Sequence, residues 1–230
     1  MPKKAAQHRA SLSHDGLVYL SGGKNKFGQL CIPRTTQPAP GVPPAPGVPV
    51  SLPSPAAAAF TGGASDSGHT AILTAAGDLY LCGTDRWQQL GLGSARGGSA
   101  GYTWQALYQD APRLSGAVKS VLKAPVKSVS LGADHTLVLD ASGDVASFGR
   151  GEHGQLGYGS EKPFVSAPRK SSTLSAPTVS HVCAIFDCSF SLDASLNVVG
   201  ASGKCGPLTE ELKRACVARH ERAFDRAPPT

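Results

Sequence analysis

No stretch of this chain approaches the roughly 20 apolar residues that a membrane-spanning helix needs, so no membrane span is expected. Charge is scarce too, with Asp, Glu, Lys and Arg making up 17% of the 230 residues. Met1 to Ala10 is polar and basic and no apolar run follows it, so a secretory signal is not expected either. None of the six cysteines (Cys31, Cys82, Cys183, Cys188, Cys205 and Cys216) forms a C-x-x-C pair. Without a secretory signal, these residues read as reduced thiols of an intracellular compartment: cytoplasm, cytoskeleton or axoneme, or nucleus.

Catalytic motifs are missing as well. GASGKCG (Gly200–Gly206) lacks the first glycine of a phosphate loop and has Cys205 where a Ser or Thr would hold Mg²⁺. GLGSARGG (Gly91–Gly98) has the wrong spacing for a dinucleotide fingerprint. Ser11, His14 and Asp15 are near neighbours on one turn, so they cannot all face one reacting atom. The chain therefore reads as a non-enzyme, with no catalytic residue, no metal site and no cofactor.

What is present is glycine (27), proline (18), a net charge of +6 and a repeat. High glycine and proline with little charge fit many short elements joined by tight turns. The positive balance favours acidic partners. Three segments align from a histidine: His8, His69 and His135. Leucine follows four residues on (Leu12, Leu73, Leu139) and glycine eight residues on (Gly16, Gly77, Gly143). A second glycine comes next (Gly22, Gly83, Gly149), and each unit closes on Gln-Leu. The three eight-residue glycines alone have a chance probability of roughly 0.0016, so the period is an architectural signal. An eroded fourth copy spans Val179 to Leu208, with Cys188 at the histidine position and Leu196 at the glycine position. The starts lie 61, 66 and 53 residues apart.

Each unit reads as short strands separated by turns such as A-A-G-D and A-S-G-D, whose glycine suits a positive φ. The strands after Gly16 and Gly77 are apolar on both faces, as expected of a strand buried between stacked sheets. The pattern H-(T/S)-x-x-L-x-x-x-G…G…Q-L resembles the repeat of the regulator-of-chromosome-condensation family. That resemblance implies an all-β fold, a partial or small β-propeller of about four blades. Family members usually carry seven repeats, and this chain holds four. The expected domain is 1–208, with repeats near 1–34, 60–93, 126–159 and 179–208, followed by a helix and tail over 209–230. Repeat one lacks most of its leading strand, which leaves an open edge prone to pairing.

Residues 35–59 carry PAPGVP twice in tandem and read as a polyproline-II spacer. Residues 91–121 read as a second long excursion, with a short helix near Trp104 to Tyr108. TEELKRACVARHERAFDR reads as a helix with Thr209 as N-cap and an apolar stripe through Leu212, Ala215 and Cys216.

His8, His69 and His135, with Gly16, Gly77 and Gly143, read as structural positions of the repeat, the histidines buried and hydrogen-bonded. Cys188 reads as an apolar core filler in the same slot. The loop before each Gln-Leu carries Lys24, Lys26 and Phe27, then Arg86 and Trp87, then Arg150 and His153, then Lys204. Equivalent loops of a propeller emerge on one face, so these residues are the expected partner-binding strip. The function expected is a protein-interaction or scaffold module in a larger assembly, cytoskeletal, axonemal or ribonucleoprotein. Regulation of a small Ras-like GTPase is the alternative the resemblance implies. Nucleic-acid binding is less favoured, since aromatic interleaving and base-reading motifs are missing.

Overall fold

The repeats fold as separate small antiparallel sheets that stack face to face in a computed structural model describing residues 8–21, 30–31, 49–64, 67–93, 108–114, 116–159 and 163–225. Repeat one contributes β1 (Arg9–Leu12) and β2 (Val18–Ser21) as a two-stranded sheet. Repeat two gives β3 (Ala56–Ala64), β4 (Ser67–Thr74), β5 (Leu79–Thr84) and β6 (Tyr108–Leu114), paired in that order. Helix α1 (Gly116–Val121) follows. Repeat three repeats the meander with β7 (Val126–Leu131), β8 (His135–Asp140), β9 (Val145–Arg150) and β10 (Phe164–Lys170). Repeat four has three strands, β11 (His181–Ile185), β12 (Cys188–Leu192) and β13 (Val198–Gly203), before helix α2 (Glu210–Arg222). This is the mostly-β, propeller-type architecture with a C-terminal helix.

The core lies between blades rather than within them. Leu12, Val18 and Leu20 of repeat one meet Ala59, Ile72 and Cys82 of blade two. Leu73 and Leu81 of blade two meet Leu131, Val138 and Phe148 of blade three. Leu137, Leu139 and Val145 meet Val182 and Ala184 of blade four. Phe148 and Leu137 are fully buried, which is why these strands carry apolar residues on both faces.

The last blade has no further sheet against its outer face among the described residues. There α2 lies over Phe190 and Leu192 with Leu212, Cys216 and Val217. Thr209 caps the helix, its hydroxyl accepting from the Leu212 N–H at 3.3 Å. Past its end, the Ala223 carbonyl accepts from Ala59 N–H of β3 at 2.9 Å. The helix thus covers blade four and reaches blade two.

Two expectations are corrected. The stretch 91–121 is not one excursion, because it supplies the fourth strand of blade two (β6) and helix α1. Tyr108 opens that strand, and Trp104 to Leu107 lie outside the described residues, as does most of the Pro-rich 35–59 stretch. Both fourth strands carry Ala-Pro-Arg, at 111–113 in β6 and 167–169 in β10. Proline suits an outermost strand, which needs no N–H there. In β10 it sits where the register shifts between Val165 and Arg169.

The cysteines are not thiols. They form Cys31–Cys82, Cys183–Cys216 and Cys188–Cys205, with Cα separations of 5.4, 6.0 and 4.7 Å. The stacking of blades and the return of α2 bring residues far apart in sequence to disulfide distance. Cys188 is accordingly a cross-link and not an apolar filler.

Candidate protein-interaction face

The repeat histidines link one blade to the next. His8 Nε2 lies 3.0 Å from Thr70 Oγ1, His69 Nε2 lies 3.0 Å from Thr136 Oγ1, and His135 Nε2 lies 2.8 Å from Ser189 Oγ. Each hydroxyl belongs to the residue directly after the histidine position of the following repeat. Thr136 gives its own hydroxyl proton to the Gln89 carbonyl at 2.7 Å, so His69 must donate from Nε2–H. Burial pushes His8 down to about 4, partly offset by a backbone hydrogen bond at His69. Burial, aided by His8 and His135, takes His69 to about 3, and burial takes His135 to about 4. All three are neutral near pH 7, in three different blades. They form no acid–base group.

The glycines of the repeat have two distinct roles. Gly16, Gly77 and Gly143 occupy the strand turns with φ of 83°, 79° and 88°. Gly83 and Gly149 sit opposite His69 and His135 in register. A Cβ on either would lie 2.6 Å from the carbonyl oxygen of the residue before that histidine. On Gly149 it would also meet Gln89 of the preceding repeat, at 3.1 Å.

That glutamine shapes the loop expected to bind. Gln89 Oε1 accepts from Trp87 N–H at 2.9 Å, and Gln155 Oε1 accepts from His153 N–H at the same distance. Both glutamines are fully buried. The two loops therefore have one geometry and present Arg86–Trp87 and Glu152–His153 at corresponding places.

The loops also touch. The Arg150 guanidinium lies 4.7 Å from the Trp87 ring centre, and that of Arg86 lies 5.7 Å from the same ring. Arg150 is held by Glu152 at 2.6 Å and by Asp134 at 3.7 Å. His153 Nε2 sits 3.4 Å from Lys204 Nζ of blade four. Arg86, Trp87, Arg150, His153 and Lys204 are thus contiguous across three blades, with Arg86 and Lys204 exposed and Trp87 half-buried. Lys24, Lys26 and Phe27 lie outside the described residues. The strip is less basic than its sequence suggests, because Glu152 and Asp134 neutralise Arg150. Asp134 lies just before the histidine position rather than in the loop, so spacing within the loop did not reveal it.

Comparison with known proteins agrees with this geometry. Models of the "Regulator of chromosome condensation (RCC1) repeat" match residues 126–155 and 142–184. Human Protein RCC2 is 29% identical over 203 residues, covering 80% of this chain and 36% of that protein. The bovine secretion-regulating guanine nucleotide exchange factor is 36% identical over 97 residues, 42% of this chain and 17% of its own length. The chain therefore spans about a third or less of the length of these relatives. Among solved structures, Prp20p from Saccharomyces cerevisiae superposes with a TM-score of 0.62 at 19% identity, covering 92% of this chain and 44% of that one. Human WBSCR16 also gives 0.62 at 19% identity, with 84% and 44% covered. The repeat, its stacked sheets and these matches identify the chain as an RCC1-like repeat protein.

Proposed function

We propose that this protein is a non-enzymatic interaction module that binds other proteins through the strip running from Arg86 to Lys204. One observation carries the reading: two guanidiniums, Arg86 and Arg150, lie over the Trp87 ring, in loops fixed by buried Gln89 and Gln155. Aromatic and arginine side chains held rigidly at low entropic cost are the usual anchors of interfaces. Mixed charge along the strip, with exposed Arg86 and Lys204 at its ends, suits a partner surface bearing carboxylates. An intracellular scaffold, cytoskeletal, axonemal or ribonucleoprotein, is the finer form of the proposal.

Regulation of a small GTPase is the second reading. Relatives named as a guanine nucleotide exchange factor and as the X-linked retinitis pigmentosa GTPase regulator favour it. So does yeast Prp20p, a protein described as binding Gsp1p and histones.

Affinity purification of the wild-type chain, repeated with Arg86→Ala/Lys204→Ala and with Trp87→Ala, tests the proposal. A complex recovered with the wild type and depleted in both variants, at unchanged melting temperature for the exposed double variant, is the expected result. Undiminished recovery with both variants would remove the strip from the interface. A GTPase as the sole recovered partner would move the function to the second reading.

A further inference from the structure

A second surface, away from the loop strip, has its own chemistry. The first strands β3, β7 and β11 are terminal strands of their sheets. β7 packs beside both β3 and β11. Their outer backbone edges, together with the last turns of α2, bound a cleft of about 570 Å³. That volume lies within the range of roughly 300–1,000 Å³ typical of binding clefts. Gly62, Gly63 and Gly132 are among its lining residues, and the absence of a Cβ at Gly62 lets β3 pack closely on Leu131 of β7.

The charge of the cleft is one-sided. Arg9, Arg219 and Arg222 line it, and among its described lining residues there is no carboxylate. None of the three arginines makes an ion pair among the described residues. All three are exposed at the rim, ready for a ligand. Arg219 is held below the usual guanidinium value mainly by desolvation and further by the neighbouring Arg222 charge. His220, between them, is neutral, pushed down to about 4 by burial, His181 and Lys127. It stacks with Phe60 and its Nδ1 lies 2.8 Å from Ser128 Oγ, which fixes that end of the helix.

We propose that this cleft binds an extended acidic peptide segment of a partner protein, its carboxylates on Arg9, Arg219 and Arg222 and its backbone along a free strand edge. Unpaired edges offer the hydrogen bonds of an added strand, and guanidinium groups are the side chains best shaped for carboxylates. One such edge group, Ala59 N–H, is already taken by the Ala223 carbonyl, so the edges accept chain from outside their own sheet. The 230 residues hold no acidic run beyond Glu210-Glu211, so the acidic segment lies outside them. Phe60, Val182 and Phe186 in the lining favour a peptide with apolar residues between its acids over a nucleic-acid strand.

Fluorescence anisotropy tests this directly, with a fluorescein-labelled peptide of alternating Glu and Val, eight residues long. The wild type should bind it, weakening as salt rises. Arg219→Gln/Arg222→Gln should weaken binding roughly tenfold, as loss of two charge-assisted contacts implies. Lys123→Gln/Lys170→Gln, which removes two positive charges outside the cleft, should not weaken it. Circular dichroism of both variants keeps loss of fold distinct from loss of binding. No binding by the wild type, or equal weakening by the two double variants, would overturn the proposal. So would displacement of the peptide by a single-stranded oligonucleotide at lower concentration than by unlabelled peptide. The loop-strip variants Arg86→Ala/Lys204→Ala should bind the peptide as the wild type does, so that failure of the strip and failure of the cleft are told apart.

Discussion

His135 crosses from blade three to blade four, its Nε2 2.8 Å from Ser189 Oγ, and both residues are fully buried. An equivalent bond joins each earlier pair of repeats. Because both groups are buried, an unmet partner there costs its desolvation. His135→Asn, which is too short to reach Ser189, should lower the unfolding free energy by roughly 1–3 kcal/mol. Partner binding by the folded variant should persist. Urea titration and a binding assay on the same sample check this, and full stability with lost binding would make His135 a contact residue.

The same histidines set the acid response. Their folded values, about 4, 3 and 4 for His8, His69 and His135, lie below the unfolded 6.5. Between those values the unfolded chain binds more protons, so stability is full above about pH 6.5 and falls as pH drops toward 4. The loss should reach at most about 1.4 kcal/mol per histidine per pH unit. Melting temperatures at pH 7.5, 6 and 5 should fall progressively, and His135→Asn should flatten the trend. A pH-independent melting temperature across this range would show that the rings are hydrated.

The disulfide Cys183–Cys216 ties α2 to β11 across 33 residues of chain. Cys183→Ser/Cys216→Ser should cost about 2–4 kcal/mol, the usual worth of a cross-link closing a loop of this size. Trypsin should then cut sooner at Lys213 and Arg214. Unchanged proteolysis would mean that the apolar contacts of Leu212 and Val217 hold the helix unaided.

Leu196 occupies the glycine slot of repeat four at φ 65°, where a Cβ is crowded. It also packs against the apolar cluster around Phe190, so its removal has opposing effects. Leu196→Gly and Leu196→Ala lose that packing almost equally and differ in backbone strain. The glycine variant should be the more stable of the two by about 1 kcal/mol. The reverse order in chemical denaturation would show that this turn relaxes out of the left-handed region.

The residues legible in advance were those whose role recurs with the repeat. His135, Gly143 and Gln155 mark their positions because stacked blades demand the same ring, the same turn and the same loop clasp each time. β6 and β10 escaped because outer strands are only half-packed, and Phe164–Lys170 has proline and two cations where alternation would be sought. Ala-Pro-Arg, repeated 56 residues apart, was their one shared mark. Cysteine pairing was out of reach because Cys31 and Cys82 meet only through inter-blade stacking, and Cys183 meets Cys216 only once α2 folds back. The loop strip was partly legible, since Arg86, Trp87, Arg150 and His153 precede Gln-Leu. The neutralising reach of Asp134 across the sheet was not. Nothing in the spacing of Arg219 and Arg222 links them to Arg9, and only the return of α2 over the inner strands brings all three to one cleft.

The histidine links have a direction. Each passes from an imidazole to a hydroxyl one residue beyond the next repeat's own imidazole position. At the first repeat that following residue is Arg9, which has no hydroxyl, and at the fourth the imidazole is replaced by a sulfur already bonded to Cys205. The series is therefore terminated chemically at both ends, as a row of identical couplings is when its outermost fittings do not match. A further repeat laid against β1, or against blade four beneath α2, would meet a guanidinium on one side and a closed disulfide on the other. It would have to dock by some means other than the joint that holds these four together.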